Sequence, residues 1–213
     1  MLVTELEKKI LNVAKVLIER DGVFSFKLSD LARLSGISRP TLYSQFRGKE
    51  DIFICLYIRH LEFARENLVT IINTDYLNNK ERLIAYYVGS SYFMSVEFSR
   101  TGLLAIATNK SVEEAAANQS VTAMKERQED LHSLIGQLWD RVQPETDSDI
   151  AFITSLRTAA DMIKHGVSFT RGTELRVIFS TFKALFSPIG WKDGMACDEE
   201  KVEDYIRNLY AWD

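Results

Sequence analysis

Residues 36–46, Gly-Ile-Ser-Arg-Pro-Thr-Leu-Tyr-Ser-Gln-Phe, constrain this chain more than any other stretch. They read as a sharp turn feeding a short helix. Gly36 supplies the residue that tolerates positive φ after a helix. Ser38 is a good N-cap, and Pro40 falls in the first turn, where a missing N–H costs nothing. Leu42 and Phe46, four apart, share a face and can anchor the helix. Arg39, Thr41, Tyr43, Ser44 and Gln45 then place hydrogen-bonding side chains near its leading end. An anchored helix with a donor-rich leading end is what a helix-turn-helix recognition element requires.

The flanking sequence supplies the rest of the unit. Ile10, Val13, Ala14, Leu17 and Ile18 recur at helical spacing, so a first amphipathic helix is predicted from about Val3 to Asp21, ended by Gly22. Leu28, Leu31, Ala32 and Ser35 mark one side of a second helix stopping at Gly36. Arg47 to Asp51 read as a tight turn opening a longer helix with Ile52, Leu56, Phe63 and Leu68.

In this order and spacing the chain resembles the TetR family of bacterial repressors. The match runs through Ala14, Leu17, Gly22, Phe24, Leu31-Ala32, Gly36-Ile37-Ser38, Thr41-Leu42-Tyr43, Phe46, Lys49-Glu50 and Ile52, about the first quarter of the chain. The resemblance implies an all-α protein. Residues 1–48 would form a three-helix DNA-binding domain, and residues 49–213 a larger helical domain for effector binding and dimerisation. It implies a homodimer on a palindromic double-stranded DNA operator, released by a small apolar or amphipathic effector. Thr41, Tyr43 and Lys49 match the family's phosphate-contacting positions. Position 27 departs from the pattern: Lys27 stands where the family has a threonine that caps the second helix. Lysine accepts no N–H bond, so the cap is lost or shifts to Ser25 or Ser29, while Lys27 can meet a phosphate as a point charge.

Charge is divided unevenly. Residues 1–50 carry nine Lys and Arg against six Asp and Glu, while the chain as a whole has net charge −4. A basic head on an acidic body suits a DNA binder. No apolar run is long enough to span a bilayer and no signal peptide is evident, so a bacterial cytoplasmic protein without membrane contact is expected. Cys55 and Cys197 form no metal or redox motif. No dedicated cofactor motif appears, and His60, His132 and His165 have no metal-ligand spacing.

Beyond the head, Asn78 with Glu81 resembles a capping box before an aromatic-rich helix from Leu83 to Phe98. Residues 99–109 suggest a short helix broken near Gly102. Ser111 to Glu114 suggest another capping box, starting a long helix to about Val142. Further helices are predicted from Asp147 or Ser148 to Phe169, from Thr173 to Phe186 and from Asp198 to Tyr210. The domain junction falls within the helix from about Lys49 to Ile71. Tyr86, Tyr87, Ser90, Phe93, Met94, Phe98, Leu103 and Trp139 are candidate effector-lining residues. Two apolar stripes are candidate dimer contacts: Ile150, Ile153, Leu156, Ala160 and Ile163, then Val177, Ile178, Thr181, Phe182 and Leu185. Each stripe equally suits the chain's own core. Two other readings stand beside the ligand-released repressor: a regulator sensing redox state through Cys55, and a helical enzyme, for which no phosphate loop, nucleophile elbow or paired metal motif is found.

Overall fold

Thr4 starts the first helix by a reciprocal pair of hydrogen bonds. Its Oγ1 accepts from Glu7 N–H, and its own N–H donates to Glu7 Oε2. Helix α1 therefore runs Glu5–Asp21. The computed structural model describes residues 4–97, 102–142, 154–160, 174–186 and 197–210. Among these, helices α2 (Leu28–Ser35), α3 (Arg39–Gln45), α4 (Lys49–Asn73) and α5 (Asn79–Glu97) follow. Then come α6 (Leu103–Ala107), α7 (Lys110–Ala115) and α8 (Asn118–Asp140). Helix α9 is described over 154–160, and α10 (Leu175–Phe186) and α11 (Glu199–Leu209) complete the order. No strand occurs among the described residues, and the protein is all-α.

The chain divides into two compact units. Unit 1 is Met1–Phe63 with Arg100–Leu131; unit 2 is Ala64–Ser99 with His132–Asp213. The boundary expected after residue 48 lies inside unit 1.

In unit 1, Ile10, Leu11, Ala14, Leu17 and Ile18 of α1 are buried, with Leu31 and Ala32 of α2. Gly36 takes φ 67, the left-handed turn that a side chain resists, and its N–H caps α2. Leu42 and Phe46 are buried and seat α3. Ile52, Phe53 and Ile54 of α4 are buried in succession, which one apolar face cannot explain. Helix α4 is covered from two sides. Phe53 meets Phe26 of the head at 5.6 Å between ring centroids. The start of α8 runs alongside in the same direction, with Cys55 to Ser120, Tyr57 to Gln128 and Glu62 to Arg127 in contact.

The long helix predicted from Ser111 instead begins at Asn118. Asn109, not Ser111, caps the preceding segment by accepting from Ser111 N–H at 2.9 Å. Helix α7 ends at Ala115, and the φ −75 and ψ 171 of its C-cap Ala116 are extended.

Unit 2 is organised by α5, in which Leu83 to Ser91 are all buried. Tyr87 lies at its centre, 5.5 Å from the rings of both Phe182 and Phe186 and 6.1 Å from Trp139. Trp139 Nε1 donates to the Tyr87 hydroxyl at 3.1 Å, so the two polar groups satisfy each other. The predicted Asn78–Glu81 capping box is present. Gly89 admits the buried ring of Tyr210: a Cβ there would lie 2.4 Å from Tyr210 Cε2.

Candidate functional site

Helix α3 is short and polar, and its orientation comes from packing. Ser38 Oγ accepts from Thr41 N–H at 3.2 Å and lies 2.8 Å from Thr41 Oγ1. Ser44 Oγ donates to Thr41 O at 2.8 Å. With Leu42 and Phe46 turned inward, Arg39, Tyr43 and Ser44 face outward, and Tyr43 is 55% exposed. Gln45 is half-buried and its Nε2 lies 3.4 Å from Ser44 Oγ. One side of the helix is thus an anchor and the other a row of donors and acceptors.

The cations around this helix are in two classes. Lys8, Lys15, Arg20 and Arg33 each pair with an acid of their own segment. Lys27, Arg39 and Lys49 are exposed, and among the described residues none has an ion-pair partner. Lys9 and Arg47 are exposed as well, Arg47 with its Nη1 bonded to Ala116 O. Lys27 is the N-cap of α2, and no side chain caps that helix. Of the two outcomes expected there, the cap is lost and does not move to Ser25 or Ser29. Lys9 Nζ lies near the α2–α3 turn, 3.9 Å from where a Gly36 Cβ would stand. It belongs to α1, and no local motif connects it with the turn.

Residues 10–55 match the family described as bacterial regulatory proteins, tetR family. The likeness to that family lies in the head of the chain. The match spans α1 to the start of α4, the segment that shapes the exposed face of α3. No curated protein matches the chain closely. A crystal structure of the reduced form of E. coli NemR shares its fold, with a TM-score of 0.53 and 17% identity. That likeness covers 85% of this chain and 97% of NemR. Among the described residues, no helix is long and apolar enough to cross a membrane.

Most of the residues predicted to line an effector site belong to one unit. Tyr86, Tyr87, Ser90, Phe93, Met94 and Trp139 lie in unit 2, but Leu103 belongs to unit 1. Phe98 lies outside the described residues. Tyr86 and Tyr87 are packed ring against ring at 5.0 Å, and both are buried in the core of unit 2. Ser90 is one of the candidate effector-lining residues. Its hydroxyl donates to Tyr86 O at 2.5 Å, bonding back within its own helix.

Of the predicted dimer contacts, Ile150, Ile153 and Ile163 lie outside the described residues. Leu156 and Ala160 are buried within the chain, and Ile178 and Phe182 are 0% exposed. Ile178 and Phe182 therefore fill the chain's own core, because α10 turns its most apolar face toward α5. Val177, on the opposite side of α10, is 53% exposed.

Cys55 is half-buried, and its Sγ lies 3.7 Å from Ser120 Oγ. Burial pushes its thiol up to about 12, and the neighbouring Asp51 carboxylate adds to the effect. The thiolate is the reactive form, and at neutral pH Cys55 holds its proton. Cys197 is raised to about 11, again chiefly by burial.

Proposed function

We propose that this regulator is a homodimeric repressor that holds a palindromic operator and releases it on binding a small apolar or amphipathic molecule. The observation that carries the reading is the outward face of α3. Arg39, Tyr43 and Ser44 stand exposed on a helix fixed from behind by Leu42 and Phe46. Arg39 and Gln45 are the base readers, since arginine matches guanine edges and glutamine matches adenine. Thr41, Tyr43, Lys49 and Lys27 hold the phosphates, with Ser38 and Ser44 beside them.

One such head reads few base pairs, so two-fold pairing is the natural solution. The α10 flank with exposed Val177 and half-buried Thr181 and Leu185 is the face for a second copy. The effector reading draws support from unit 2. Among the described residues, Asn67 Nδ2 and Ser91 Oγ are buried there without a hydrogen-bond partner, polar handles in an aromatic-rich core. Release works by population shift: the effector binds the DNA-incompetent arrangement more tightly than the competent one.

The test is selection of bound sequences from random duplexes, followed by sedimentation of the complex. A two-fold symmetric site carrying two chains is the expected result. One chain on an asymmetric site would overturn the dimer, and no preferred sequence at all would overturn base reading by α3. For the effector, apolar ligands that raise the melting temperature should also weaken operator binding, and the operator should weaken the ligand equally.

A further inference from the structure

Asp51 does more than cap α4. It lies in the first turn of that helix and is 4% exposed. Its Oδ2 accepts from Arg47 N–H at 3.0 Å, a local bond of the kind that starts many helices. Its Oδ1 reaches a distant segment and accepts from Ala117 N–H at 3.4 Å. Arg47 completes the arrangement, with Nη1 donating to Ala116 O at 3.1 Å. Ala116 and Ala117 form the extended break between α7 and α8, where a carbonyl and an N–H lack helical partners. Both groups are satisfied by the two residues that join α3 to α4.

Arg47 directly follows Phe46, the C-cap of α3. An arginine one residue beyond a reading helix is placed to be another phosphate contact. Here Nη1 of the guanidinium is bonded to the protein, although the residue as a whole is exposed. Helix α3 has two buried apolar anchors, Leu42 and Phe46. Two points leave a seven-residue helix free to pivot, and base reading needs side chains held to within about 0.5 Å.

We propose that Arg47 and Asp51 are positioning residues for DNA recognition, fixing α3 by tying the α3–α4 junction to the α7–α8 turn. The proposal rests on the reading that α3 contacts the bases. It assigns Arg47 to orientation and not to phosphate binding.

The test compares wild type, Arg47→Ala, Asp51→Asn and the double variant on the selected operator and on random duplex, across a salt series. Each single variant should lose about tenfold on the operator, the scale of one charged hydrogen bond. Random duplex, held by charge alone, should change by less than about twofold. Arg47→Ala should leave the salt slope unaltered, whereas a phosphate contact would lower it by about one unit per monomer. Asp51→Asn removes a negative charge, so electrostatics alone would strengthen binding to both DNAs. Misplacement of α3 gives the opposite sign on the operator. The double variant should lose little more than either single one, because the two residues act as one unit.

Ala117→Pro deletes the N–H that meets Asp51, and Ala116 is already in the extended conformation that proline demands of its predecessor. It should lower operator discrimination in the same direction by a few-fold, and it decides the matter if Asp51→Asn fails to fold. A lowered salt slope in Arg47→Ala, or wild-type discrimination in the variants, overturns the assignment while base reading stands. A wild-type protein without sequence preference overturns both.

Discussion

Lys201 Nζ donates to Glu81 Oε2 at 2.8 Å, and the Glu81 side chain is 2% exposed. The same carboxylate accepts from Asn78 N–H at the start of α5 and from Asp198 N–H at the start of α11. Two helix beginnings therefore share one negative charge, which their dipoles favour. Lys201 also stands 4.9 Å from the centre of the Tyr76 ring, so its charge is held from two directions.

Burial pushes the Glu81 carboxyl up, but Lys201 and the two amides outweigh it, and the folded group titrates below its usual value of 4.5. A depressed carboxyl contributes stability that is complete above the unfolded value and drains as pH falls through the folded one. Glu81→Gln should therefore cost about 1–3 kcal/mol near neutrality, the penalty for buried partners left poorly matched. Denaturant melts at descending pH should show the gap from wild type narrowing below about pH 4. A gap independent of pH would remove the charge from the explanation.

Arg39→Ala should weaken operator binding by about 1–3 kcal/mol and relax preference at one position per half-site. Competition with operators altered one base pair at a time is the measurement. Equal losses on operator and random duplex would make Arg39 a phosphate contact.

Lys49→Ala should flatten the salt dependence by about one unit of log–log slope per monomer while leaving sequence preference intact. Tyr43→Phe should weaken binding without changing preference, since it removes only the hydroxyl. An unchanged slope for Lys49→Ala places that lysine outside the interface.

Gly89→Ala gains about 1 kcal/mol of helix propensity. It also drives a methyl into the Tyr210 ring, and overpacking of that kind costs about 1–3 kcal/mol. The net change should be destabilising, and Tyr210→Leu in the same chain should recover part of it. Thermal melts of the two singles and the double decide this, and simple additivity would show that the two residues do not meet.

Cys55 should resist alkylation at pH 7 in the native protein and react once the chain is unfolded. Rapid labelling of the native protein would restore the redox-sensing alternative.

The head was legible in the sequence because its signals are local. Gly36, Ser38 and Pro40 fix α3 within five residues, and Leu42 and Phe46 show which side faces inward. The break at Ala116 was not legible. Nothing near it forbids a continuous helix, and Ser111 to Glu114 even propose one. The partners that satisfy the break, Arg47 and Asp51, lie 69 and 66 residues away. The bond from the Ser90 hydroxyl to Tyr86 O was not legible either, because residue type alone does not say whether a small polar side chain turns back on its own helix. The stripe of Ile178 and Phe182 carried the correct periodicity, but periodicity marks an apolar face without naming what covers it. Only the position of α5 assigns that face to the chain's own core.

Tyr210 beneath Gly89 also sets an order for synthesis. The contacts that close unit 2 join residues made early to residues made late: Glu81 with Lys201, and Gly89 with Tyr210. While the ribosome is still extending the chain toward α11, α5 emerges with its apolar surface uncovered and its acidic anchor unpaired. The partners of α1, α2 and α3 are by then already outside the exit tunnel. Chaperone demand in the cell should therefore fall on unit 2, and on α5 above all, during the interval before α11 is translated.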